Sequence, residues 1–280
     1  MSDDDMSLAD AAAEAGLHYM TLYRYVRTGR LPATRHGREW RVARRDVEAL
    51  TAAPEVRRRR RSGPEPVRRR LEERMLAGDE GGAWRIVEDA LASGTTPADV
   101  HLQLLAPALA DIGARWARGQ LRVADEHRAS VVAGRLVGRL GPQLRTRGAR
   151  RGTVVVGAVT GDAHALPTAI AADLLRGAGF EVMDLGADVP EESFVEAVTE
   201  AVRLRAVVVS VAVLPAPERL VAICRAVRAA ADVPVLVGGP ACDPVTAQRA
   251  GADAHVELAA LAVEVLARTG TRHGPRAEPR

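Results

Sequence analysis

The spacing of hydrophobic positions predicts alternating strands and helices in the last part of the chain. Short β-branched runs indicate buried strands, and the longer segments between them have helical period. The predicted strands are 153–158, 180–185, 206–211, 234–238 and 253–256, and the predicted helices lie near 167–178, 190–203, 216–231, 243–250 and 257–268. Repeated strand–helix units predict a parallel sheet covered by helices on both faces.

Helical periodicity continues through the whole region before this sheet. Helices are predicted near 68–77, 80–93, 97–115 and 122–141, with Pro97 at the start of the third. Short connections between four amphipathic helices predict an up-down bundle, because each apolar face is buried only by packing against the others.

The amino-terminal region shows shorter elements. Ser7 is expected to cap a helix that ends at Gly16, and a second helix is predicted over 19–27. Gly37 is placed at the tip of a hairpin, and a further helix is predicted over 44–50. Two short helices joined by a tight turn fit a helix-turn-helix.

Together these patterns predict a multidomain α and α/β protein. A stretch rich in Pro, Gly and Arg, with little apolar content, separates the amino-terminal region from the bundle and is interpreted as a linker. The expected divisions are an amino-terminal domain 1–53, a linker 54–67, a helical bundle 68–150, an α/β domain 151–270 and a tail 271–280.

Length and composition place the chain among globular proteins with several cores. Its 280 residues are 47% apolar, but no apolar run is long enough to span a bilayer. No signal peptide is expected before the acidic start, and Cys224 and Cys242 lack the spacing of a zinc knuckle or a disulfide framework. We therefore expect a cytoplasmic protein without a membrane partner.

Positive charge is carried by arginine alone. All 39 basic residues are Arg, which excludes sites that need a lysine amine, such as a Schiff-base or phosphate-loop lysine. A response-regulator receiver, which also has a parallel sheet, is excluded for the same reason. The run from Arg57 to Arg61 is either a solvated tether or an added contact to DNA phosphates.

Basic and polar side chains in the amino-terminal region point to nucleic acid. The second helix and the hairpin carry groups able to meet base edges or phosphates. The predicted DNA-binding residues are Thr21, Tyr23, Arg24, Arg27, Arg35, Arg38 and Arg41. The alternative is a small Arg-rich helical domain without a nucleic-acid role. Segments 28–32 and 44–47 resemble the winged helix-turn-helix of the MerR and excisionase families, which implies double-stranded DNA as partner.

A polar loop follows the first predicted strand of the α/β domain. Asp162 and His164 lie on it, at the carboxyl end of the strand, where open α/β sheets bind ligands. Pro167 is predicted to open the next helix as its first residue. A carboxylate two residues from an imidazole can fix the tautomer of the ring, as a metal-ligating histidine requires. The alternative is a solvated polar loop.

Trp116, Glu126 and His127 form a second pattern. Trp116 ends one predicted bundle helix and Glu126 begins the next, so the fold can bring all three side chains to one end of the bundle. Considered alone, Trp116 is better explained as a core anchor, and Glu126 as a favourable charge at a helix start.

The polar loop and two later strand ends resemble a known signature. Asp162-x-His164, Ser210 and Gly238-Gly239 are similar to the signature of cobalamin-binding domains. The resemblance implies a flavodoxin-like, Rossmann-type fold in which His164 ligates cobalt from below and Asp162 hydrogen-bonds that histidine. It also implies that Ser210 and the glycine pair line the slot for the nucleotide tail of the cofactor.

The order of domains extends the resemblance over residues 7–265. A winged helix, a bundle with Trp116, Glu126 and His127, and a cobalamin domain are similar to the adenosylcobalamin-dependent light-sensing repressors of carotenoid genes. The resemblance implies that the bundle caps the upper face of adenosylcobalamin or another cobalamin form. Trp116 would cover the space of the adenosyl group, and Glu126 and His127 would contact that group.

Three positions depart from these family patterns. Pro167 stands where the cobalamin signature has glycine, and Ala212 stands where it has leucine or threonine. Ala117 stands where the light sensors have the histidine that captures cobalt after illumination. A photoproduct with a histidine from this position therefore cannot form, and His127 is the imidazole left to substitute for it.

The resemblance implies a cobalamin-binding transcriptional regulator rather than an enzyme. Adenosylcobalamin would be the light-sensitive ligand of a repressor, holding the chain in a dimer or tetramer whose winged helices bind repeated operator sites. One alternative is a DNA-binding regulator whose sheet domain no longer binds cobalamin. The other is a corrinoid methyl-carrier protein, an enzyme component with a similar bundle and sheet domain.

Overall fold

The structure is a computed structural model that describes residues 5–15, 19–27, 29–36, 39–52, 64–146, 148–214 and 216–269. The chain divides into two compact units, residues 1–133 and 134–280. The first unit contains a small amino-terminal domain and most of a helical bundle. The second contains a parallel sheet with its helices.

The described part of the amino-terminal domain builds a small antiparallel sheet beside short helices. Its elements are β1 (Asp5–Ser7), α1 (Leu8–Ala15), α2 (Tyr19–Arg27), β2 (Thr34–His36), β3 (Glu39–Ala43) and α3 (Arg44–Ala52). β3 lies between β1 and β2 in the sheet. Ser7 caps α1 as predicted, because its Oγ accepts the Asp10 N–H at 3.1 Å.

The predicted hairpin is confirmed, since His36 on β2 lies opposite Glu39 on β3. Gly37 at its tip, and Gly16 after α1, lie outside the described residues. β1 has no counterpart among the predicted elements, because three residues are too few to show the period of a strand. The apolar residues of these elements share one core, which includes Leu8, Ala11, Leu22, Tyr25, Leu31, Val42, Val47 and Leu50.

The helical bundle follows the predicted pattern closely. Its elements are α4 (Pro64–Ala77), α5 (Glu80–Ala92), α6 (Pro97–Val100), a π-helical turn (His101–Leu105), α7 (Ala106–Ala117) and α8 (Val123–Leu144). Pro97 lies in the first turn of α6 as predicted. Thr96 caps that helix, because its Oγ1 accepts the Asp99 N–H at 3.1 Å.

The first bundle helix begins at Pro64, earlier than the predicted residue 68. Pro64 and Pro66 both fall in the first turn, where backbone N–H groups have no acceptor within the helix, so neither proline breaks a hydrogen bond. The end of the predicted linker 54–67 is therefore helical. Residues 54–63, with their arginine run, lie outside the described residues.

A π-helical turn interrupts the third bundle helix, for which the sequence predicts one continuous α-helix over 97–115. Pro107 follows this turn and lacks the N–H group that an α-helix would bond to the carbonyl four residues earlier. The hydrogen-bond register therefore changes ahead of the proline. His101, Leu104 and Leu105 are buried within the turn.

The α/β domain has a parallel sheet of five strands in the described part of the chain. Its elements are β4 (Thr153–Ala158), α9 (Ala165–Gly177), β5 (Glu181–Asp184), α10 (Glu191–Glu200), β6 (Leu204–Ser210), α11 (Pro217–Ala230), β7 (Val235–Gly238), α12 (Pro244–Arg249), β8 (Ala254–His255) and α13 (Leu261–Thr269). The strand order β5-β4-β6-β7-β8 is the expected flavodoxin-like order. Each predicted strand is found within two residues of its expected bounds.

Alternate residues of β4 face two different cores. Val155 belongs to the core with Phe194 of α10, on one face of the sheet. Val154 and Val156 belong to the core with Leu175 of α9, on the other face. Every residue of β4 is buried, which explains its β-branched run, because a strand covered on both faces has no polar side.

The predicted role of Pro167 as the first residue of a helix is wrong. α9 begins at Ala165 with His164 at its cap position, so Pro167 is the third helical residue. The ring is tolerated there because the first-turn N–H groups have no acceptor within the helix. The predicted tail 271–280 lies outside the described residues, and among those described no helix is long and apolar enough to cross a membrane.

Candidate functional site

Three parallel strands end at the same level of the sheet. Ala158 at the end of β4 lies opposite Ser210 at the end of β6, which in turn lies opposite Gly238 at the end of β7. The helix after β4 packs on one face of the sheet and the helix after β6 packs on the other. The carboxyl ends of β4 and β6 therefore flank the point where such sheets bind ligands.

Asp162 is fully buried in the loop between β4 and α9. Its Oδ1 accepts the backbone N–H of His164 at 3.1 Å and lies 2.7 Å from His164 Nδ1. Its Oδ2 accepts the backbone N–H groups of Ala212 at 2.6 Å and Val213 at 3.2 Å. N–H donors thus satisfy both oxygens, and Asp162 ties its own loop to the loop after β6.

His164 presents an imidazole whose direction is set by this carboxylate. The side chain of His164 is 52% exposed, whereas that of Asp162 is 0% exposed. Because a carboxylate only accepts, Nδ1 carries the proton in the neutral ring and Nε2 holds the lone pair. Such an oriented imidazole is suited to ligate a metal. The alternative of a solvated polar loop does not describe Asp162, which is buried, although its neighbours Gly161, Ala163 and His164 are exposed.

Gly238 and Gly239 lie where a side chain does not fit. A Cβ on Gly238 would overlap the carbonyl oxygen of Val256, and a Cβ on Gly239 would overlap that of Val211. Gly239 also has a φ of +125°, which residues with side chains rarely adopt. The glycine pair therefore lets neighbouring backbones pack closely and leaves the strand end beside Ser210 without side chains.

This set of residues fits a cobalamin. Imidazole is a good ligand for cobalt, and the loop of Asp162 and His164 offers one oriented imidazole that would hold it. Gly238 at the end of β7 lies opposite Ser210, and these two residues with Gly239 are the ones that would line the nucleotide tail. The space next to each glycine is itself filled by a backbone carbonyl, of Val256 or Val211.

The second predicted cluster lies at one end of the helical bundle. Trp116 is in the last turn of α7, and Glu126 and His127 are at the start of α8, after the short turn 118–122. Trp116 is 45% exposed, so its interpretation as a core anchor is wrong. Glu126 accepts a hydrogen bond from Ser130 Oγ at 2.6 Å, and its other oxygen lies 2.8 Å from His127 Nδ1.

An ion-pair network fixes the start of α8 next to this cluster. Arg122 donates to Asp125 at 2.9 Å, and Arg128 donates to the same carboxylate at 2.5 Å. The hydrogen bond from Arg122 lowers the pKa of Asp125 to about 2. The carboxylate therefore stays ionised near neutral pH at the helix amino terminus, where negative charge is favourable.

The structure describes the side chains of part of the predicted DNA-binding set. Arg27 and Arg35 are exposed, and the Arg35 guanidinium lies over the Trp40 ring at 5.9 Å from its centroid. Arg41 donates to a backbone carbonyl of β1 at 3.4 Å, and Tyr23 packs against the domain core. Outside the described residues lie Arg38 and the side chains of Thr21 and Arg24.

The backbone amides of Ala212 and Val213 are site groups that the sequence did not reveal. They hold Asp162, yet any residue other than proline supplies an N–H group, so side-chain identity carries no signal for this contact. The same fact explains why Ala212 can replace the leucine or threonine of the cobalamin signature without loss of this hydrogen bond.

Comparison with known proteins agrees with this geometry. Two family models, both described as a B12 binding domain, match residues 67–140 and 152–267, and a model described as a helix-turn-helix domain matches residues 6–53. The dimethylamine corrinoid protein of Methanosarcina barkeri is 31% identical over 175 residues, which are 60% of this chain and 80% of that protein. This chain belongs to the corrinoid-protein family. It binds cobalamin, and the alternative of a sheet domain that has lost the cofactor is set aside.

Other relatives of this corrinoid protein match shorter segments. Trimethylamine corrinoid protein 1 of Methanosarcina acetivorans is 32% identical over 125 residues, which are 44% of this chain and 58% of that protein. The chain spans 58% to 65% of the length of the trimethylamine corrinoid proteins it matches. The structure of the Methanosarcina barkeri monomethylamine corrinoid protein has a TM-score of 0.63 and 20% identity, covering 73% of this chain and 99% of that one, which shows a shared fold.

Proposed function

We propose that this corrinoid protein is a cobalamin-dependent transcriptional regulator and not an enzyme. One observation carries the proposal: a helix-turn-helix match at residues 6–53 precedes both B12-binding matches in the same chain. A carrier that only presents a corrinoid to enzymes has no use for a DNA-binding domain. A regulator needs both a ligand sensor and a DNA contact.

The amino-terminal domain would act as a MerR-type reader of double-stranded DNA. Its second helix, α2, would enter the major groove, and the hairpin of β2 and β3 would reach the neighbouring backbone. The exposed Arg27 and Arg35 support this role, because exposed arginines neutralise phosphates and release counterions. The slope of log K for DNA against log salt concentration should become shallower by about 0.9 for each phosphate-binding arginine that is substituted.

The loop of Asp162 and His164 would hold the cofactor from below. Asp162 would keep the Nδ1 proton of His164 in place, so that Nε2 is the ligand to cobalt. Ser210 with Gly238 and Gly239 would line the slot for the nucleotide tail. Adenosylcobalamin, when bound, supplies a cobalt–carbon bond that light breaks.

The bundle would sense whether the upper face of the bound cobalamin carries an adenosyl group. Trp116, exposed at the end of α7, would cover the adenosyl group, and Glu126 and His127 would contact it. A bundle without an adenosyl group to contact would favour a smaller assembly, in which fewer DNA-binding domains are joined together. Linking several weak DNA-binding domains raises avidity, so dissociation alone would release the operator of a repressor. Ala117 excludes a cobalt ligand from the residue after Trp116.

The test is a DNA-selection experiment with the full chain. Genomic fragments are equilibrated with protein loaded with adenosylcobalamin in the dark, retained fragments are sequenced, and the selection is repeated after illumination. We expect a sequence motif with repeated half-sites in the dark and its loss after illumination, together with a fall in mass by size-exclusion chromatography. An Arg27→Gln, Arg35→Gln variant should retain the motif but bind with a smaller salt slope.

A second function is supported by the relatives, which are named as corrinoid proteins for trimethylamine and dimethylamine. The chain would then be a methyl carrier, and the same geometry of Asp162 and His164 would serve it. In that case no sequence motif would be enriched in any cofactor state, although cobalamin would still be retained through His164. The DNA selection therefore separates the two functions.

A further inference from the structure

The turn after β5 follows a left-handed backbone path. Gly186 has a φ of +76°, and Asp188 has a φ of +50°, one of two positive values among the described residues other than glycine. Asp and Asn adopt this region more readily than most side chains. The turn brings Val189 beside Val159, so a parallel bridge continues beyond the end of β4.

Asp188 forms two hydrogen bonds with the loop that carries Asp162 and His164, one as acceptor and one as donor. Its Oδ1 accepts the backbone N–H of Gly161 at 2.5 Å, and its own N–H donates to the carbonyl of Asp162 at 2.8 Å. The next residue adds a third contact, since Thr160 Oγ1 donates to the carbonyl of Val189 at 2.7 Å. The turn after β5 therefore forms hydrogen bonds with three consecutive residues, 160–162.

Asp162 is thus held through both its main chain and its side chain. Asp188 fixes its carbonyl, while its carboxylate is shared between His164 and the amides of Ala212 and Val213. Gly161, with a φ of +88°, gives the preceding peptide little steric restraint of its own. Without the acceptor at Asp188, that peptide keeps only the hydrogen bond from Arg219 to the carbonyl oxygen of Thr160, at 3.3 Å, so the backbone holds the carboxylate against the imidazole less firmly.

We propose that Asp188 is a positioning residue for the cobalt ligand. It fixes the backbone on both sides of Gly161 and Asp162, which sets the direction of the Asp162 carboxylate and, through it, the direction of His164 Nε2. This inference rests on His164 being the lower ligand of the bound cobalamin, as proposed above. Asp188 acts through Asp162 and not on the metal.

Substitutions at position 188 separate the hydrogen bond from the backbone conformation. Asp188→Asn keeps an acceptor oxygen and tolerates positive φ. Asp188→Gly keeps the backbone conformation but loses the acceptor, and Asp188→Ala loses both. Glu192→Gln is the matched control, because it removes an exposed carboxylate from the first turn of α10, close in sequence to Asp188.

The experiment uses the full chain, prepared without cofactor and titrated with hydroxocobalamin in the dark. The dissociation constant and the absorption spectrum of histidine-ligated cobalt are measured, with thermal unfolding in parallel. We expect wild type, Asp188→Asn and Glu192→Gln to agree within about twofold. Asp188→Gly should bind about tenfold more weakly and lose part of the histidine-ligated spectrum, the usual size of an outer-shell effect on metal affinity.

Two outcomes would overturn the inference. If Asp188→Gly has the affinity and spectrum of wild type, the hydrogen bond to Gly161 does not position the ligand. This holds even when Asp188→Ala is defective, since strain at positive φ then explains the alanine variant. If His164→Ala has the affinity and spectrum of wild type, His164 is not the cobalt ligand. The inference about Asp188 then fails because the proposed function it rests on has failed.

Discussion

The Asp162 carboxylate offers a direct test of how the site is held together. Asp162→Asn keeps the size and shape of the side chain but converts one acceptor oxygen into an NH₂ donor. In the structure both oxygens face N–H groups, from His164 on one side and from Ala212 and Val213 on the other. If the NH₂ group faces Ala212 and Val213, two backbone N–H groups lose their acceptor. If it faces His164, the backbone N–H of His164 loses its acceptor, and Nδ1 can accept from the NH₂ only when the ring proton moves to Nε2, which removes the lone pair that would bind cobalt.

The size of the effect follows from these hydrogen bonds. A hydrogen bond to a charged group contributes about 1.5–3 kcal/mol, and a buried donor left without a partner costs about 1–3 kcal/mol. Asp162 is 0% exposed, so solvent cannot replace the missing acceptor without opening the loop. Asp162→Asn should therefore reduce the free energy of unfolding of the α/β domain by about 3 kcal/mol or more. Binding of cobalamin through His164 should weaken about 10–100-fold.

The assay is urea unfolding followed by circular dichroism, with cobalamin titration of the folded protein. The matched control is Asp184→Asn, because the exposed Asp184 accepts one N–H, from Gly186 at 3.1 Å. The control should lose less than about 1 kcal/mol, as expected for an exposed substitution. If Asp162→Asn is as stable as this control and binds cobalamin like wild type, the argument from the buried carboxylate is refuted.

Three further predictions concern other parts of the chain. Gly239→Ala should lower the free energy of unfolding by at least about 1–3 kcal/mol in urea, because φ is +125° and the new Cβ overlaps the Val211 carbonyl. Trp116→Ala should leave the thermal midpoint nearly unchanged, since the side chain is 45% exposed, but should lower the affinity for adenosylcobalamin more than the affinity for hydroxocobalamin. A fall in the midpoint that corresponds to a loss of about 3–5 kcal/mol would restore the core-anchor interpretation. Burial and the neighbouring Asp111 raise the pKa of Glu72 above its ordinary 4.5, so ionisation lowers stability as pH rises past that value. Glu72→Gln should raise the thermal midpoint at neutral pH, and this gain should vanish below pH 4.5; a gain that persists there would contradict the sign.

Much of the fold was predictable because local pattern and burial agree. β4 is a run of β-branched residues because both of its faces are covered, and Pro97 marks the start of α6 because its side chain suits a first helical turn. β1 could not be predicted, since its three residues become a strand only by pairing with β3. The π-helical turn depends on Pro107, whose missing N–H changes a register that apolar spacing does not report.

The site divides in the same way. Asp162 and His164 could be predicted, because a carboxylate two residues before an imidazole, at a strand end, has a recognisable chemistry. Asp188 and the amides of Ala212 and Val213 could not, because they act through backbone groups brought together by the sheet. Such interactions depend on the order of strands, and no spacing along the chain encodes them.

The central claim is that His164 ligates the cobalt of bound cobalamin, and electron paramagnetic resonance of the cob(II)alamin form tests it directly. An axial nitrogen of ordinary isotope splits each cobalt line into a triplet, whereas nitrogen-15 gives a doublet. Protein grown with nitrogen-15 histidine is predicted to show doublets that disappear in His164→Ala. Triplets unchanged by the labelling would mean that the cofactor keeps its own base as ligand, and would contradict the account.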